Sequence, residues 1–153
     1  MPGTESLKQQ QYYAHPRNSF WPVMGELFGF DPALSYADRL AALRKNSIAL
    51  WDVAHQCVRP GSLDSNIRDA EANDFAGFFK THTKVEMVFF NGATAEQLYR
   101  KLVSPTLPTA LQQLPMLRLP SSSPAHAGMT VAQKQEQWRK ARHRRDQALE
   151  NSR

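Results

Sequence analysis

The sequence predicts an α/β fold in which a short parallel sheet carries helices on its faces. Three observations predict it. Short apolar runs at residues 47–53 (SIALWDV), 85–90 (VEMVFF) and 116–119 (MLRL) read as buried strands. Segments with helical spacing lie between and around them. Each run ends in a loop or turn rich in Gly, Pro, Asn or Ser.

Taken in order, residues 19–30 mix aromatics with Met24, Gly25, Glu26 and Leu27 and can form a short helix, broken between Phe28 and Pro32. Ser35 followed by Asp38 resembles a helix-starting cap, and Tyr36, Leu40 and Leu43 then recur at helical spacing up to Lys45 and Asn46. Residues 55–66 read as a loop, marked by Arg59, Pro60 and Gly61. Asn73 or Asp74 can cap a helix carrying Phe75, Phe78 and Phe79. Asn91 and Gly92 turn the chain after the second strand, and residues 94–103 read as a helix. Residues 104–114 hold two prolines and are irregular, and residues 120–128 form a serine-containing loop. The last helix spans residues 130–149, with Val131, Trp138, Ala141 and Ala148 near one face and most basic residues off it. Ligands of parallel sheets bind at the carboxyl ends of the strands. That edge gathers the opening loop, the Asn91–Gly92 turn and the serine loop.

The 153 residues suit one domain over 1–153 with a single core. Hydrophobic residues at 41% and charged residues at 22% exclude a disordered chain. No apolar run approaches the roughly 20 residues that span a bilayer, and the opening residues show no basic stretch followed by an apolar one, so no secretion signal is expected. A cytoplasmic monomer without membrane contact is expected. Cys57 is the only cysteine, which excludes an intrachain disulfide, a cysteine zinc cluster and an iron–sulfur cluster. His15, His55, His82, His126 and His143 show no metal-ligand spacing, so neither metal nor cofactor is expected. Net charge is +5, and residues 130–153 carry seven Lys/Arg against three Asp/Glu. The basicity therefore belongs to a C-terminal helix, either as a surface facing a polyanion or as a solvated helix end. Lys134 and Lys140 are expected as surface charges, not imine-forming nucleophiles, because nothing around them promises desolvation.

The run YYAHPRNSFW at residues 12–21 concentrates ring faces, hydrogen-bonding edges and a positive charge. Tyr13 and Phe20 with His15, Arg17 and Asn18 suit a flat, polar ligand such as a nucleobase. Each residue also has a plainer use. Asn18 can cap the following helix, and Tyr13 can cover the core. Ser121, Ser122, Ser123 and His126 offer three hydroxyls and an imidazole to phosphate, or form an ordinary polar loop. The glycine patterns of phosphate-binding loops and the G-x-S-x-G pattern of serine nucleophiles are absent.

In this order, Met1-Pro2-Gly3, YYAHPRNSFW, LWDVA, VFFNG and LPSSSPAH resemble the uracil-DNA glycosylase superfamily. The similarity covers essentially the whole chain and is greatest to the hypoxanthine-DNA (deoxyinosine) glycosylase branch. The mismatch-specific uracil/thymine glycosylases are more distant and share an H-P-x-N-x-F-W segment. The resemblance implies a three-layer α/β/α fold and a DNA substrate holding a deaminated base. It implies that Tyr13 stacks on the flipped base and that Asn18 is catalytic. Phe20 and Trp21 would anchor the segment, with His15 and Phe20 at the substrate. Backbone groups near Gly3 and Asn91 would read the base edge. The second family motif, roughly L-P-S-T-S-P-A-N, falls on Leu119 to His126, where Ser121, Ser122, Ser123 and His126 would contact the DNA backbone.

Two departures accompany these matches. His126 stands where the branch has asparagine, and it differs in length and protonation. The first family motif reads G-S-M-P-G after a central strand, and Met1-Pro2-Gly3 matches only its last three positions. The sheet is therefore expected to lack its first strand, with two exposed edges. Three readings follow: a monofunctional DNA glycosylase, a non-catalytic nucleic-acid-binding remnant of this fold, or an unrelated α/β protein that binds a nucleotide or phosphorylated metabolite.

Overall fold

The computed structural model describes Ser6, residues 9–58 and residues 68–153. Capping chemistry sets most helix boundaries. Helix α1 (Phe20–Phe28) stops at Gly29, whose φ of 73° and N–H bond to Gly25 O close its last turn. Helix α2 (Tyr36–Lys45) starts where Ser35 Oγ accepts from the Asp38 N–H at 3.1 Å. An antiparallel pair follows, β1 (Ala54–Val58) and β2 (Arg68–Ala72). Asp74 caps α3 (Phe75–Thr81) by accepting from the Gly77 N–H at 3.0 Å. Strand β3 (Val88–Asn91) leads into α4 (Ala93–Leu98), which widens into a π-helical turn over Tyr99–Val103. A 3-10 turn (Ser104–Thr106) and the short α5 (Thr109–Gln112) precede β4 (Met116–Leu119). Thr130 and Gln133 form a reciprocal capping box at the start of α6 (Val131–Asn151).

Strands β3 and β4 are parallel, in register from Val88 opposite Met116 to Asn91 opposite Leu119. Side chains alternate across this sheet. Phe89, Leu117 and Leu119 face a cluster built on Phe20, Trp21, Leu27, Leu43 and Trp138. Val88, Phe90 and Met116 face a second cluster with Phe79, Tyr99, Val103 and Leu107. Helices α1 and α6 thus cover one face, and α3 and the π-helical turn cover the other. That is the expected three-layer order.

Several details differ from the sequence expectations. Residues 47–53 pair with no strand among the described residues. Ser47 is left-handed at φ 60°, and the Ile48 N–H extends the end of α2 by donating to Leu43 O. The Val53 carbonyl accepts from the Asn73 N–H, and the Asp52 carbonyl from Asn73 Nδ2. The run is apolar because Ile48, Leu50 and Val53 pack on the cores, not because it joins a ladder. The expected loop at 55–66 opens instead with β1, and its later part lies outside the described residues. The strand expected at 85–90 is shorter and later, because only from Val88 does β4 supply partners.

Helix α6 packs on α1 through Trp138, whose ring meets Phe20 edge-on at 5.8 Å. Near its far end, Arg145 lies 4.9 Å over the Phe28 ring and donates to Asn46 Oδ1 at 2.9 Å. One of the helix's basic residues is therefore occupied in packing. Val131, expected on the inner face, is 51% exposed, while Trp138 is 5% exposed. Trp138→Ala is expected to lower unfolding stability by about 3–5 kcal/mol, and Val131→Ala by less than about 0.5 kcal/mol, in urea titrations. Equal effects would contradict the packing described.

Candidate active site

The carboxyl ends of β3 and β4 meet the serine loop at Ser122, which is 2% exposed. Asn91 is the last residue of β3. Its Oδ1 accepts from the Ser122 N–H at 2.8 Å, and its Nδ2 donates to Ser122 Oγ at 2.8 Å. From the opposite side, the Ser19 N–H and Oγ donate to the Ser122 carbonyl at 3.0 and 3.1 Å. All three polar groups of Ser122 are thereby held. Trp138 Nε1 donates to Pro120 O at 2.8 Å, and Lys134 Nζ to Ser123 O at 3.0 Å. Gly92, at φ 96°, lets the backbone pass Ser121; a Cβ there would lie 3.0 Å from Ser121 Cβ.

The opening loop is held as firmly. Trp21 Nε1 donates to Tyr12 O at 2.9 Å, the Tyr12 N–H to the Tyr36 hydroxyl at 3.1 Å, and the Ala14 N–H to Ser6 Oγ at 3.0 Å. Burial, and then the nearby Asp52 and Tyr36, push the Tyr12 phenol up to about 12, so it stays neutral at physiological pH. Tyr13 sits at φ 56°, an uncommon conformation for an aromatic residue. Its ring stacks on Phe20, with centroids 4.1 Å apart and planes at 29°. Asn18 Oδ1 accepts from the Phe20 N–H at 3.0 Å, an Asx-type turn one residue before the Ser19 N-cap and not a cap by Asn18 itself. Among the described residues, Asn18 Nδ2 has no hydrogen-bond partner. The amide is thus oriented by its oxygen and keeps its donor for a ligand. His15 is exposed, with Nδ1 accepting from the Arg17 N–H at 3.1 Å.

Tyr13, His15, Asn18 and Phe20, with Asn91, Ser121, Ser122 and Ser123, border one part of an elongated space of about 1430 Å³ that also runs past Trp51, Phe78 and the end of α6. Phe20 and Ser122 sit in its buried floor, at 3% and 2% exposure. His126 is exposed beyond the lining residues, and its N–H donates to Ser123 O at 3.0 Å. Gly3 lies outside the described residues. Among the described residues, no group of three His, Cys, Asp or Glu could hold a metal ion.

Lys134 corrects a sequence expectation. It is 4% exposed, not a surface charge, and burial lowers its pKa. The signal was available: Lys134 lies four residues before Trp138, on the same helical stripe. Ser19 left no comparable trace, because its partner lies 103 residues away.

Residues 1–144 match the uracil DNA glycosylase superfamily. The chain belongs to that superfamily. Within it, the chain is 40% identical over 93 residues to a protein of Methanosarcina barkeri named hypoxanthine DNA glycosylase, covering 60% of this chain and 59% of the relative. A protein of the same name from Methanosarcina acetivorans is 41% identical over 96 residues, covering 62% and 61%. The chain thus aligns with about three-fifths of the length of these relatives. A solution NMR structure from Methanosarcina acetivorans, described as a candidate uracil DNA glycosylase, superposes with a TM-score of 0.77 at 33% identity. It covers 95% of this chain and 86% of that one. No helix among the described residues is long and apolar enough to cross a membrane.

Gly92→Ala in this superfamily member combines a left-handed backbone with a close approach to Ser121. It is expected to cost about 1–3 kcal/mol in urea unfolding. Wild-type stability in that variant would show that the turn and the serine loop are not tightly apposed.

Proposed function

We propose that this chain hydrolyses the N-glycosidic bond of a deaminated base flipped out of DNA, with hypoxanthine as the preferred base and uracil as the second. The observation that carries the reading is the convergence, through Ser122, of the Tyr13–Asn18 loop and the serine loop at the carboxyl edge of a parallel sheet. The names of the 40–41% identical relatives support it.

A base within a duplex is out of reach and must be extruded. Tyr13, backed by Phe20, offers a ring face to the extruded base. Backbone groups around Gly3 and Asn91 read its edge, with His15 at the mouth. Water adds to C1′ while the C1′–N bond breaks. The bonding electrons leave with the base, which takes up a proton in balance with the one the added water releases, giving C1′–OH and free base. The Asn18 amide, oriented by Phe20, donates from Nδ2 to the reacting groups; an amide is no general base at neutral pH. Ser121 Oγ accepts from the Ser123 N–H, and Ser123 Oγ from the Ala125 N–H, leaving both hydroxyl protons for phosphate. His126 flanks them, while Ser122 holds the loop from below. One chain supplies every residue, so a monomer suffices. Lys134 spends a donor on Ser123 O, and no imine step is invoked.

Oligonucleotides carrying one deoxyinosine or one deoxyuridine test the reading. Free base should be released, and Asn18→Ala should slow release about 100-fold or more while retaining DNA binding. DNA binding without base release by the wild type would favour the non-catalytic remnant. Borohydride added during turnover should trap no protein–DNA adduct; a trapped adduct would overturn the monofunctional assignment.

A further inference from the structure

Among the described residues, Lys134 is a buried cation without a counter-charge. At 4% exposure it is removed from water, yet among the described residues no carboxylate lies within ion-pairing distance of it. Its hydrogen-bond partner among the described residues is the Ser123 carbonyl, at 3.0 Å. An ammonium has three donors. Burying such a charge unpaired is costly, and an apolar residue of similar length would stabilise the fold as well or better. Packing alone therefore does not account for it.

Its surroundings indicate what does. The Ser123 carbonyl also accepts from the His126 N–H, so Lys134 is attached to the turn that presents the Ser121 and Ser123 hydroxyls. Trp138, one helical turn along, fixes the other end of the loop through Pro120 O. We propose that Lys134 is the electrostatic positioning residue for a DNA phosphodiester. It holds the serine loop in shape and supplies, from beneath it, the positive charge that a phosphate docked on the loop neutralises. The inference rests on the DNA-binding part of the proposed function but not on base release. In this arrangement the missing counter-ion arrives with the substrate, and the exposed arginines of α6 contribute only screened, longer-range attraction.

The test compares Lys134→Met and Lys134→Arg with the wild type, using an undamaged duplex of defined length. Urea unfolding and the salt dependence of duplex binding are both measured. Lys134→Met is expected to be at least as stable as the wild type, yet to bind the duplex about tenfold more weakly. Its slope of log K against log salt should be shallower by about one. Lys134→Arg should recover most of that slope. A Met variant with an unchanged salt slope would overturn the assignment, whatever its stability. A Met variant that loses stability but not affinity would show that the lysine serves packing alone. Absence of duplex binding by the wild type would overturn this inference together with the DNA reading of the cleft. Normal wild-type binding with an unchanged slope in the variant would remove only the role of Lys134.

Discussion

Ser122 is the point on which the rest of the structure depends. Its N–H and hydroxyl are bound by Asn91 at the end of β3, and its carbonyl by Ser19 at the start of α1. Two distant stretches of chain are thereby fixed to one buried residue of the serine loop. Each of these hydrogen bonds contributes only about 1 kcal/mol, but leaving any of the buried groups unpaired costs more. The node therefore tolerates few alternatives. It sets the distance between the aromatic loop that would receive a base and the hydroxyl loop that would receive phosphate. These two bonds orient the Asn91 amide and use one of its N–H groups and one lone pair, so its second N–H and its backbone are what it has left for a substrate.

The helices were legible because their ends carry local chemistry. Ser35, Asp74 and Thr130 each cap the helix they precede, and β4 falls on residues 116–119 as read. The strand misread at 47–53 shows where such reading stops. Apolar spacing reports burial, and burial follows from packing on a core as readily as from joining a sheet. Residues 48–53 satisfy the first without the second, because their backbone partners are the end of α2 and Asn73. The antiparallel β1–β2 pair was missed for the opposite reason: Ala54–Val58 and Arg68–Ala72 lack the apolar alternation that marks a half-buried strand.

For the site, the residue types were legible and their division of labour was not. Asn18 offered helix capping as its plain use, but Ser19 is the N-cap. The Asn18 oxygen instead holds the first N–H of α1 in an Asx-type turn, and its nitrogen remains. Phe20, expected at the substrate, and Ser122, expected at the DNA backbone, are both buried, the first stacked against Tyr13 and the second within the serine loop. Lys134 was hidden by its residue type. A lysine on a basic helix reads as solvated unless its place on the Trp138 stripe is weighed above its charge. The left-handed backbone at Tyr13 has no sequence signature, since tyrosine rarely adopts it.

One buried serine couples the aromatic loop to the sheet edge. A double-mutant cycle on Ser19→Ala and Asn91→Ala, read as the single-turnover rate of hypoxanthine release, tests it most directly. Both residues act on Ser122, so the loss in the double variant should differ from the sum of the single losses by more than about 0.5 kcal/mol. Most of the loss should already appear in Asn91→Ala. Additive losses, or single variants that release base at the wild-type rate, would contradict the account.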